Sequence, residues 1–112
     1  MLSINKNKIF YKKNVYEFNY DVLEAEIIND KIVVVFEPNN PNCMKDNVFC
    51  FSLKKELLWR IKKPSKELAG TSQYPYVGIS LSNLNFGVVD FFGRRFFVNL
   101  DNGEIVGKDI VK

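Results

Sequence analysis

One segment of this chain occurs twice, and the repeat restricts the available folds more than any other feature. Phe49-Cys50-Phe51-Ser52-Leu53-Lys54-Lys55-Glu56-Leu57-Leu58-Trp59 aligns without a gap with Phe96-Phe97-Val98-Asn99-Leu100-Asp101-Asn102-Gly103-Glu104-Ile105-Val106, at a constant offset of 47 residues. Each copy reads as a strand, a tight polar turn and a second strand. Further upstream, Ile28 to Val35 resembles Leu81 to Val88 in pattern. Repeats of about 40–50 residues built in this way mark β-meanders that bury their faces against one another. The expected fold is therefore all-β: an antiparallel meander of two four-stranded units, with stacked or strongly bent sheets.

A chain of 112 residues has room for one domain. Residues 1–21 read as N-terminal strands, 22–61 as the first unit, 62–75 as a linker loop and 76–112 as the second unit. Ten Phe, five Tyr and one Trp favour a pleated, half-buried surface. Val15 to Tyr20 alternates aromatic and polar residues, the period of a strand covered on one face. Ile32-Val33-Val34-Val35-Phe36 is a continuous apolar run, expected as a central strand covered on both faces. Asn29-Asp30 predicts a two-residue hairpin, and Gly93 and Gly103 predict turns with positive φ. The Pro- and Asn-rich stretch from Pro38 to Asn42 ends its strand as a loop. Between Lys62 and Pro75 only Ser65 to Leu68 has the makings of a helical turn.

The first hairpin resembles those of quinoprotein-type β-propeller blades. These carry an aromatic, a second aromatic two residues on, a Leu, a Gly and a Trp at fixed spacing; Phe49, Phe51, Leu53 and Trp59 stand at the matching positions. Glu56 replaces the usual Gly in the first copy. Gly103 restores it in the second, where Val106 stands in place of the Trp. The resemblance implies blade-like packing with Trp59 between sheets. Two blades cannot close a ring, which typically needs at least about four, so a half-propeller or sandwich-like arrangement is expected and no quinone activity carries over. In size and strand plan the chain also resembles small β immunity partners of bacterial toxins.

Most catalytic chemistry lacks its residues. There is no histidine, which removes histidine-based triads and histidine metal sites. No glycine-rich phosphate loop occurs. Cys43 and Cys50 lack metal-site spacing and are expected as free thiols in a reducing compartment. Glu37, Asp90 and Glu104 lie near strand ends without forming a motif. The expectation is a non-enzyme with no metal and no cofactor.

The net charge of +3 is weak. Six cations cluster between Lys54 and Lys66, but Glu56 and Glu67 dilute them, so nucleic acid is an unlikely partner. The Lys-, Asn- and Ile-rich composition points to an AT-rich bacterial genome. No apolar leader or membrane-length run is present, and a cytoplasmic location is expected.

The favoured reading is a protein-binding module, in its concrete form an immunity-type inhibitor of a toxin; the alternative is a small β domain that binds nucleic acid or a ligand through the Lys54–Lys66 run, and the third is a structural protein. Phe91-Phe92-Gly93-Arg94-Arg95-Phe96-Phe97 places aromatics around a turn expected to present two arginines. The expected contact residues are Arg94, Arg95 and Phe92 at this turn, Tyr74 and Tyr76 at a loop-to-strand junction, and Glu37, Asn40 and Asp46 on the loop after the apolar strand. On this reading, reversing the charge of both arginines weakens partner binding without lowering the melting temperature.

Overall fold

The computed structural model describes residues 2–38, 45–70, 72–82 and 85–110. They form three antiparallel sheets and one helical turn. The N-terminal sheet holds β1 (Leu2–Asn5), β2 (Lys8–Tyr11) and β3 (Asn14–Glu17), in that order. The central sheet is β4 (Val22–Ile28), β5 (Lys31–Phe36), β6 (Val48–Ser52) and β7 (Leu57–Arg60). After α1 (Lys66–Ala69), the C-terminal sheet runs β8 (Tyr76–Ser82), β9 (Asn85–Asp90), β10 (Arg94–Val98) and β11 (Ile105–Ile110). Every sheet keeps its strands in chain order, the arrangement that short hairpin turns impose. The chain is all-β, as expected, with its two four-stranded meanders preceded by a third, shorter sheet.

The central sheet is covered on both faces because its strands alternate two apolar sets. Val33, Val35, Val48, Cys50, Trp59 and Ile61 share one buried cluster with Tyr76, Phe86, Val88, Phe96 and Val98 of the C-terminal sheet. Val22, Ala25, Ile32, Val34 and Phe36 share a second with Ile9 and Tyr16 of the N-terminal sheet. This is why Ile32 to Phe36 reads as an unbroken apolar run: all five residues are buried.

The sheets are not evenly spaced. Among the described residues, the close approaches between sheets are made mainly by their first strands: β1 beside β4, and β8 beside β4 and, to a lesser extent, β5. The later strands lie farther apart, so each pair of sheets encloses a wedge that widens toward its outer strands. Glu24 ties the narrow end of one wedge, where its Oε2 accepts the backbone N–H of Ile79 at 2.8 Å.

The turns follow backbone chemistry. Asn29 and Asp30 both take positive φ (48° and 61°), and so do Gly93 and Gly103. Three turns instead place lysines there, at Lys6, Lys12 and Lys55. A lysine is no turn signal, and the reading of residues 1–21 as N-terminal strands did not separate β1, which ends at the Lys6 turn, from β2.

The pairing register corrects the gapless repeat. Both hairpins carry an irregularity at the equivalent step, between Cys50 and Phe51 and between Phe97 and Val98. Cys50 pairs with Trp59, whereas Phe97 pairs with Gly107. The second turn is therefore one residue longer, and Trp59 corresponds to Gly107 rather than to Val106. Burial agrees: Trp59 is 7% exposed and Val106 is 64% exposed.

Candidate functional site

The tip of the β9–β10 hairpin is the most distinctive surface of the molecule. Phe91 and Phe92 are each 65% exposed, and their rings meet edge to face at 5.4 Å. Tyr74 closes on Phe92 at 4.4 Å between ring centres. Exposing large aromatics costs hydrophobic stabilisation, so what holds them out is informative.

The answer is a buried carboxylate. Asp90, 1% exposed at the end of β9, accepts the backbone N–H groups of Phe92 (3.0 Å) and Arg94 (2.9 Å) on Oδ1. Its Oδ2 accepts Arg94 Nε at 2.7 Å. Arg94 continues outward, donating Nη1 to the carbonyl of Ala69 (2.9 Å) and Nη2 to that of Ser72 (3.2 Å). Its guanidinium lies over Tyr74 and Phe96, 5.3 and 5.4 Å from their ring centres. The N–H of Phe91 donates to the carbonyl of Pro75 at 2.9 Å. The tip is thus fastened to α1 and to the linker, and its backbone N–H groups at Phe91, Phe92, Gly93 and Arg94 are all hydrogen-bonded.

The expected contact residues divide accordingly. Phe92 and Tyr74 are brought together at the surface, with Phe91 as a third partner that the sequence reading did not select. Arg94 adjoins them, but its charge is spent on Asp90. The expectation of two presented arginines is corrected: both lie in β10, and Arg95 pairs with Asp109 and donates to Ser80 Oγ at 3.2 Å. Charge reversal at Arg94 therefore breaks structure as well as surface. Tyr76 is also corrected, because it is 1% exposed and sits in the core against Phe96. Asp46 pairs with Arg60 at 2.8 Å and makes no contact with the tip among the described interactions. Glu37 follows β5, its N–H donating to the carbonyl of Asp21 at 2.8 Å. Asn40 and Cys43 lie outside the described residues.

Of the basic run, Arg60 is paired with Asp46 and Lys62 with Glu104, which dilutes it further. Cys50 is a free, fully buried thiol; burial pushes it up to about 11, against the opposing pull of Lys31. Burial, and then the Asp90 carboxylate, push the Tyr76 hydroxyl upward as well. Neither group is poised for chemistry near neutrality. The described residues contain no grouping of metal-ligating side chains, and no described helix is long and apolar enough to cross a membrane.

A second surface was not legible in advance. Between the segment Glu17 to Tyr20 and the face of β6 lies an open groove of about 210 Å³, floored by Phe36, Phe49 and Phe51 and walled by Phe18 and Tyr20. The rings of Phe49 and Phe51 stack nearly parallel, 8° apart. Each of these residues alone reads as core, and only the strand count reveals that the N-terminal sheet is too narrow to cover them.

No curated protein matches the sequence. A family described as a domain of unknown function (DUF7957) matches residues 1–110, nearly the whole chain. The chain, with its three fanned sheets and aromatic hairpin tip, belongs to the DUF7957 family.

Proposed function

We propose that this protein is a non-catalytic protein-binding module, a cytoplasmic inhibitor of the immunity type, built on an open arc of three blade-like sheets. The observation that carries the reading is the Asp90–Arg94 network. A buried charged pair is a poor source of net stability. Here it fixes a turn whose product is two exposed phenylalanines. Rigid aromatics surrounded by satisfied polar groups are the usual anchors of protein interfaces, because little entropy is lost when they dock. The blade-like reading is supported by the first strands converging on one side and by Trp59 filling the wedge behind them.

The test compares the protein with Phe91→Ser/Phe92→Ser in affinity capture from its native cells at moderate salt. The variant should melt within about 2 °C of the parent, since the lost rings are exposed. A stoichiometric partner held by the parent and lost by the variant supports the reading, and a toxin as that partner supports its concrete form. A partner retained equally by both, or nucleic acid alone, contradicts it.

A further inference from the structure

We infer that the aromatic groove beside β3 is an acceptor site for one extended strand of a partner protein, bound by edge pairing to β3 and by an apolar side chain seated on Phe49 and Phe51. The inference does not rest on the hairpin tip.

The molecule itself supplies the template. Its central and C-terminal sheets have four strands; its N-terminal sheet has three. In the central sheet the fourth strand carries Trp59 into the wide end of the wedge, where the ring meets Phe86 at 6.4 Å and its Nε1 donates to the carbonyl of Leu100 at 2.6 Å. In the N-terminal sheet no described strand lies beyond β3, and the corresponding wedge is the groove. The vacant position has the same floor, apolar side chains of the next sheet, and the same open end.

The edge is ready to pair. The N–H of Phe18 donates to the carbonyl of Asn7 at 2.9 Å, in the register that pairs Tyr16 with Ile9 and Asn14 with Tyr11. Bonded pairs alternate along an antiparallel ladder. The N–H and C=O groups of Val15 and Glu17 therefore point away from β2, toward the vacant position. Strand addition uses such an edge for affinity and a pocket below it for alternate side chains.

Charge narrows the occupant. Lys54 and Lys55 are exposed at the turn that closes one end of the groove, and Lys55 Nζ stands 5.6 Å from the Tyr16 ring. At the other end Arg60 lies 4.8 Å over Phe49, paired with Asp46. Glu17 is the acidic group on the wall. Lys54 and Lys55 against one exposed carboxylate, Glu56, leave the turn net positive, so the fitting strand alternates apolar residues and carries a carboxylate at the end that meets Lys54 and Lys55.

The experiment uses a fluorescein-labelled peptide, Glu-Val-Thr-Trp-Thr-Val-Glu, titrated with the full chain by fluorescence anisotropy. Saturable binding in the micromolar range is expected. Val15→Pro removes the outward N–H without removing a ladder bond, so it should keep its melting temperature and bind at least about tenfold more weakly. Lys54→Glu/Lys55→Glu, at exposed positions, should weaken binding severalfold. Phe91→Ser/Phe92→Ser should leave it unchanged, which separates this site from the hairpin tip. No saturation by about 1 mM of the full chain, equal affinity for Val15→Pro, or loss of binding in the phenylalanine pair overturns the inference.

Discussion

The two wedges of this molecule are built from one plan and finished differently. Between the central and C-terminal sheets, Trp59 fills the wide end and the 99–104 turn is fastened to it. Gly103 takes φ 78° there, and any Cβ on it would lie 2.6 Å from Trp59 Cε3. The Lys62 N–H donates to the Gly103 carbonyl at 3.0 Å, and Lys62 Nζ reaches Glu104 at 3.3 Å. At the narrow end Asn47, fully buried, donates to the carbonyls of Phe36 and Tyr76 and accepts the Tyr76 N–H, each at 2.8 Å. Between the N-terminal and central sheets the Tyr16 hydroxyl donates to the Leu53 carbonyl at 2.8 Å, but among the described residues no fourth strand lies beyond β3 to fill the wide end. The difference shows that sheet number alone does not close a wedge: a fourth strand with one large residue does.

The largest test of this contrast is Trp59→Ala. Removing the ring leaves a cavity and an unpaired Leu100 carbonyl, and should cost about 3–5 kcal/mol in urea unfolding. Next is Asn47→Ala, which strands two carbonyls and an N–H in the core. A loss of about 3 kcal/mol is expected, and a loss below about 1 kcal/mol would mean that the two sheets are not joined there.

The closed wedge also predicts alkaline sensitivity. Cys50 and Tyr76 both face it, and both titrate above their ordinary values in the fold. The unfolded chain gives up these protons first; for Cys50 the contribution is complete below about pH 9 and falls as pH rises toward 11. For Cys50 it amounts to at most about 2–3 kcal/mol. The stability gap between the parent and Cys50→Ala should narrow across that window. Smallest is Phe49→Ala in the open wedge, where a half-buried ring should cost only about 1 kcal/mol. A loss equal to that of Trp59→Ala would erase the contrast.

The closed half was the legible half. Its strands run long enough to show alternation, and its turns, Lys55 excepted, use Asn-Asp and Gly, whose backbone freedom is readable. The position of Trp59 was readable too, although its partner Gly107 was displaced by a one-residue difference in turn length that no gapless alignment can register. The open half hid itself. β1 ends in a turn made with Lys6, and the groove draws Phe18, Tyr20, Phe36, Phe49 and Phe51 from separate segments. Arg94 misled because a charged residue after a turn glycine ordinarily faces water, whereas its counter-ion, Asp90, is buried four residues earlier.

The most direct measurement is native-state hydrogen exchange, resolved by residue. The account predicts that amides of β5, β6, β9 and β10 exchange only by global unfolding, while Val15 and Glu17 exchange with little protection. Protection of Val15 and Glu17 equal to that of β6 would contradict it, because the edge beside the open wedge would then already be paired.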